Sequence, residues 1–93
     1  IILVLNNGAY GTIRMHQEKK YPSRVSGTNL YNPDFAAVAE AFGTKGFCVR
    51  QTEDFAETFE KAYRSKNGAL LELMVSVEAI TPRKTISDLR SGH

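Results

Sequence analysis

Apolar and polar positions along this chain fall into short blocks of changing period. Ile1 to Leu5 is an unbroken apolar run, mostly β-branched. Such a run suits a strand buried on both faces, as in a parallel sheet covered by helices. Asn6-Asn7-Gly8 ends it, and Gly11 to Lys20 reads as a helix whose apolar face is thin: Tyr10, Ile13 and Gln17. Tyr21 to Tyr31 is rich in turn residues and reads as a loop, either a flap or subunit contact or a solvated connection. Asn32 then offers an N-cap and Pro33 a first helical residue, with Asp34 in the first turn. Phe35, Val38, Ala39 and Phe42 recur at i, i+3, i+4 and i+7, a core-facing helical stripe that Gly43 stops.

The second half repeats this alternation. Lys45 to Arg50 places Phe47 and Val49 on one side of a short strand. Thr52 can cap a helix over Glu53 to Ser65, with Phe55, Phe59, Ala62 and Tyr63 on its apolar face and Asn67-Gly68 at its end. Ala69 to Val75 is a third strand, apolar except for Glu72, which is expected at a sheet edge or paired with a base. Thr85 to Arg90 suits a short terminal helix whose Ile86 and Leu89 would dock on a neighbouring domain. Strands alternating with helices predict an α/β fold, a three-layer parallel sheet flanked by helices. The opening in the middle of a core strand, without an initiator Met, predicts a partial domain from the interior of a longer polypeptide. The expected division is residues 1–76 for the domain and 77–93 for a tail.

Composition narrows the function classes. The 93 residues are 42% hydrophobic and 24% charged, as in ordinary globular chains. A net charge of +2 with scattered Lys and Arg does not suit a nucleic-acid partner. No apolar run reaches membrane-spanning length, and Ile1 to Leu5 is too short for a secretion leader. The single cysteine, Cys48, fits a reducing, cytoplasmic setting and is expected to be a small buried hydrophobe.

Chemistry concentrates at the first junction. Strand, polar Gly-containing turn, then helix places amide groups at the carboxyl end of a strand, where open α/β sheets bind ligands. The positive end of the following helix favours phosphate there. Asn-Gly between apolar residues is also a strong hairpin signal. Residues 12–20 lack the period-2 alternation a returning strand needs, yet both readings stand on the residues alone.

Asn6-Asn7-Gly8-Ala9-Tyr10-Gly11 resembles the second half of the thiamine-diphosphate motif in the superfamily of acetolactate synthase, pyruvate oxidase and benzoylformate decarboxylase. The likeness continues through Asn32-Pro33-Asp34-Phe35-Ala36, Ala41-Phe42-Gly43 and Gly68-Ala69-Leu70-Leu71-Glu72, so it covers most of the chain. It implies the C-terminal half of a diphosphate-binding domain. Thiamine diphosphate and Mg²⁺ would be the cofactors, with Asn7, Gly8, Ala9, Tyr10, Gly11 and Thr12 at the diphosphate. Mg²⁺ prefers a near-octahedral oxygen shell. The resemblance assigns it the Asn7 side-chain oxygen and the Ala9 backbone carbonyl. It aims the N–H groups of Tyr10, Gly11 and Thr12 at phosphate oxygens, and lets Thr12, Ile13 and His16 line the substrate pocket.

The same resemblance implies chemistry on 2-oxo acids, by acetolactate synthase-like acyl transfer or by decarboxylation, in a homodimer or tetramer. The bound cofactor serves as electron sink when a C–C bond is cleaved. The Gly-Asp-Gly half of the motif does not occur in this sequence. The family's activating Glu lies on another domain of a neighbouring subunit, and any FAD is contacted by another domain. The stretch alone is therefore expected to be inactive and to bind cofactor weakly. Ile13 differs from the Glu of pyruvate and indolepyruvate decarboxylases, and His16 from the Trp of acetolactate synthases. The alternative is a small α/β binding or interaction module without catalysis, in which the Asn-Gly turn is structural.

Overall fold

A computed structural model describes residues 1–92. Its elements are β1 (Ile2–Asn6), α1 (Gly11–Lys20), α2 (Phe35–Ala41), β2 (Lys45–Val49), α3 (Phe55–Tyr63), β3 (Ala69–Met74) and α4 (Ile86–Arg90). They form two compact units. The first holds Ile1–Asn6 and Asn32–Val75; the second holds Asn7–Tyr31 and the segment from Ser76 onward.

The first unit is a three-stranded parallel sheet in the order β1-β3-β2. Leu3, Leu71 and Phe47 stand level across the strands, as do Val4, Glu72 and Cys48. Because side chains alternate along a strand, Phe47, Val49, Leu71 and Leu73 share one face. α3 covers that face with Phe55, Phe59 and Ala62, and Leu71 at its centre is 0% exposed. α2 lies on the opposite face, so close that a Cβ on Gly46 would overlap the Ala36 carbonyl oxygen. The partial three-layer α/β arrangement expected from the pattern is thus present in this unit.

Several local expectations are corrected. Asn32 does not cap α2. Asp34 does, its Oδ1 accepting from Ala37 N–H at 3.1 Å, because a charged oxygen suits the positive helix end and the Asn32 amide is spent elsewhere. Val38 and Phe42 of the supposed core stripe stay exposed, Phe42 at 84%. Thr52 opens a single 3₁₀ turn (Thr52–Asp54) and makes no side-chain cap, so α3 begins later, at Phe55. Tyr63, the last residue of α3, is exposed.

Glu72 is not at an edge and meets no base among the described ion pairs. β3 is the central strand, and Glu72 is buried there, accepting from Asn6 Nδ2 at 2.7 Å. Cys48 is exposed, not buried. Phe47 and Val49 take the α3 side of β2, and Cys48 takes the other side, where it shares a cleft with Asn32, Pro33 and Asp34.

The second unit packs α4 on α1. Thr85 forms a reciprocal capping box with Asp88, and Glu78 accepts from both the N–H and the hydroxyl of Ser87, at 3.1 and 2.9 Å. Ile86 and Leu89 are already buried in this chain, at 2% and 7% exposure. The expectation that they dock on a neighbouring domain is corrected accordingly. Among the described residues no helix is long and apolar enough to cross a membrane.

Candidate functional site

The turn between β1 and α1 is shaped by its own amide. Asn7 Oδ1 accepts the N–H of Ala9 at 3.1 Å. Gly8 adopts φ +69°, a left-handed conformation that costs a side-chain-bearing residue but not glycine. The chain then enters α1 directly, with Arg14 N–H bonding to the Tyr10 carbonyl at 3.0 Å. The hairpin alternative for Asn-Gly is not realised: Gly11 to Lys20 is helical.

The loop over residues 21–31 runs back beside this turn as a strap. Tyr10 donates its N–H to the Thr28 carbonyl at 2.8 Å, and Leu30 donates to the Gly8 carbonyl at 2.8 Å. These bonds flank an antiparallel bridge between Ala9 and Asn29. In such a non-hydrogen-bonded pair, the two facing residues turn their own N–H and C=O groups away from each other. Ala9 therefore presents its carbonyl away from the strap, while its N–H is held by Asn7. Side chains reinforce the strap: Arg14 Nη1 donates to Asn29 Oδ1 at 2.8 Å and Gln17 Nε2 to the Ser26 carbonyl at 2.8 Å. The buried Thr28 hydroxyl donates to Gln17 Oε1 at 3.2 Å.

One donor expected at a phosphate is otherwise engaged. The Tyr10 N–H is taken by Thr28. The N–H groups of Gly11, Thr12 and Ile13 belong to the first turn of α1, ahead of any intrahelical partner. Gly11 leaves room beside them, since a Cβ there would sit 3.1 Å from both Asn7 Nδ2 and Ile80 Cδ1. Tyr10, Thr12, Ile13 and His16 are exposed on α1 and its start.

The donor set suits a diphosphate with Mg²⁺. Asn7 offers a neutral amide oxygen with a second lone pair, and the Ala9 carbonyl faces off the strap. The helix start adds unpaired N–H groups and a positive dipole end.

Two groups carry weight that the sequence did not mark. Glu18 is the only buried residue of α1, at 0% exposure. It accepts from Arg90 Nε and Nη2, both at 3.0 Å, and from Ser23 N–H at 3.2 Å. The Arg90 hydrogen bonds hold its carboxyl below the usual glutamate range, against burial, which pushes it up. The Ser23 N–H and the charges of Arg90 and Arg14 add to the lowering. In the first unit, Asn6 is clamped between two partners. Its Oδ1 accepts from Asn32 Nδ2 at 2.8 Å while its Nδ2 serves Glu72. A long-range partner leaves no local pattern, so neither group was visible in the sequence.

Residues 1–73 match the family of thiamine pyrophosphate enzymes in their C-terminal TPP binding domain. This chain belongs to that family. It is 38% identical over 74 residues to the catalytic subunit of mitochondrial acetolactate synthase from Saccharomyces cerevisiae, covering 80% of this chain and 11% of that protein. It is 35% identical over 75 residues to the mitochondrial acetolactate synthase of Schizosaccharomyces pombe, covering 81% of this chain and 11% of the relative. The acetolactate synthase of Arthrospira platensis is 32% identical over 77 residues, 81% of this chain and 13% of its own length. The chain thus spans roughly a tenth of the length of the curated relatives it matches.

Proposed function

We propose that this TPP-domain segment supplies the Asn-Gly half of a Mg²⁺–diphosphate site in a larger enzyme acting on 2-oxo acids. The relatives named acetolactate synthase favour acyl transfer or decarboxylation as its reaction. The geometry of the turn from Asn7 to Gly11 carries the reading: a carbonyl aimed away from the strap, an amide oxygen two residues before it, and a helix start beside both. In this proposal Asn7 and Ala9 hold the metal, and Gly8 allows the tight bend. Gly11 and Thr12 donate N–H groups to the diphosphate, with Tyr10 contributing through shape only. Thiamine diphosphate, when bound, supplies the electron sink for C–C cleavage. The residues of this chain bind and orient it.

Ile13 and His16 stand one helical turn into α1 and would line the substrate pocket. The rest of the parent polypeptide would bring the missing metal ligand, and a neighbouring subunit the activating carboxylate. A second subunit would complete the site, in a reducing, cytoplasmic setting.

Calorimetric titration of thiamine diphosphate with and without Mg²⁺ tests this on the parent polypeptide and on the 93-residue chain. Metal-dependent binding by the parent should be lost in Asn7→Ala, and the short chain should bind weakly or not at all. Binding by the parent that is indifferent to Asn7→Ala would overturn the assignment.

A further inference from the structure

The best-covered position of the helix that carries the candidate turn is a charged one. α1 buries a single side chain, and that side chain is a carboxylate, Glu18. Its partners tie two other parts of the second unit to it. Arg90, from α4, makes a two-pronged contact with both carboxylate oxygens. Ser23, at the start of the strap and itself at φ +61°, donates its N–H. From there the strap runs to Thr28 and Leu30, which bond the backbone of Tyr10 and Gly8. An unbroken series of contacts thus leads from Arg90 through Glu18 and the strap to the turn. Ile86 and Leu89 of α4 are buried as well, and a capping box closes the start of that helix.

We propose that Glu18 and Arg90 are positioning residues for the Asn7–Gly11 turn: the terminal helix clips the strap, and the strap holds the turn in its binding shape. The proposal rests on the cofactor reading above. The charges around the clip are unequal. Glu18 is fully covered, whereas the Arg90 side chain is 45% exposed. Without the guanidinium, the carboxylate keeps the Ser23 N–H and the more distant charge of Arg14. A buried carboxylate so stripped moves toward water. Ser23 is bonded to it and moves as well, which frees one end of the strap.

The test uses the parent holoprotein with Arg90→Ala, Arg90→Lys and Glu18→Gln, and with Asn7→Ala as reference. Arg90→Ala should raise the thiamine diphosphate concentration for half-saturation about tenfold, the usual scale when a group that orients a ligand is lost. Turnover at saturating cofactor should stay near that of the unaltered protein. Hydrogen exchange should quicken in residues 21–31 and stay slow in α4. Added guanidinium ion should restore the affinity, and Arg90→Lys should lose less than Arg90→Ala, because lysine cannot reproduce the fork. Unchanged affinity in Arg90→Ala, or a loss that guanidinium does not repair, overturns the proposal. If Asn7→Ala leaves binding intact, the cofactor reading fails instead, and faster exchange of the strap in Arg90→Ala still reports whether the clip exists.

Discussion

Replacing Gly46 with alanine adds one methyl group where α2 crosses β2. Its φ is not the reason for glycine here; space is. The new Cβ would overlap the Ala36 carbonyl oxygen and lie 2.7 Å from the carbonyl carbon and 2.8 Å from Cα. Ordinary contact begins near 3.4 Å, so α2 must retreat by at least about 0.7 Å to clear the carbonyl carbon, and further to clear its oxygen. The obstacle is backbone, so no rotamer change can relieve it. Overpacking of this kind costs about 1–3 kcal/mol, and a displaced helix backbone belongs at the upper end. A gap of this size also forfeits roughly a quarter to a half of each dispersion contact along the helix. Alanine recovers about 0.4–1 kcal/mol by restricting the unfolded chain. The net loss is about 2 kcal/mol, or roughly 30-fold in the opening equilibrium at 1.4 kcal/mol per decade.

Hydrogen exchange of the α2 and β2 amides in the parent polypeptide reads this local opening directly. Cys48→Ala, on the same strand but exposed, should leave protection unchanged. Protection in Gly46→Ala within a factor of three of the unaltered protein would refute the close packing of α2 on β2.

The Glu18 clip gives a pH dependence. The folded carboxyl titrates below the ordinary glutamate range, so its contribution is present above that range and is lost as pH falls through the lowered folded value. Exchange in residues 21–31 should therefore accelerate on acidification ahead of the sheet; equal acceleration in both would refute this. Cys48 should react readily with maleimide under native conditions in the isolated chain, its adduct mapped by mass spectrometry, and a buried-thiol rate would contradict the outward direction of its side chain.

Element types were legible because they depend on local period. The apolar run at Ile1 to Leu5, the alternation around Phe47 and the run from Ala69 gave three strands. The Asn-Gly turn followed by a helix located the candidate site. What was not legible depends on partners distant in the chain. Glu18 sits in Gln-Glu-Lys-Lys and looks like one more solvated charge, while Arg90 lies 72 residues further on. Glu72 looked like an edge residue because sequence order does not reveal that the last strand lies between the first two. Asn32 has the sequence of a helix cap but not the role for the same reason: its competing partner, Asn6, is 26 residues earlier. The strap has no signature in the sequence because its grip on the turn uses main-chain atoms, which every residue carries.

That main-chain grip separates two properties that proteins often keep entangled. Gly8 is held through its carbonyl and Tyr10 through its N–H, and Ala9 turns its carbonyl away from the strap, so the path of the turn is indifferent to the side chains at positions 9 and 10 beyond their fit. The exposed positions Tyr10, Ile13 and His16 can therefore drift in size and polarity while the backbone frame persists. A turn built this way is an evolvable mount: Asn7 and Gly8 are tied to their places by amide chemistry and a left-handed bend, the main-chain bonds of the strap keep the path around them, and in the proposed site the exposed positions are left to substitution.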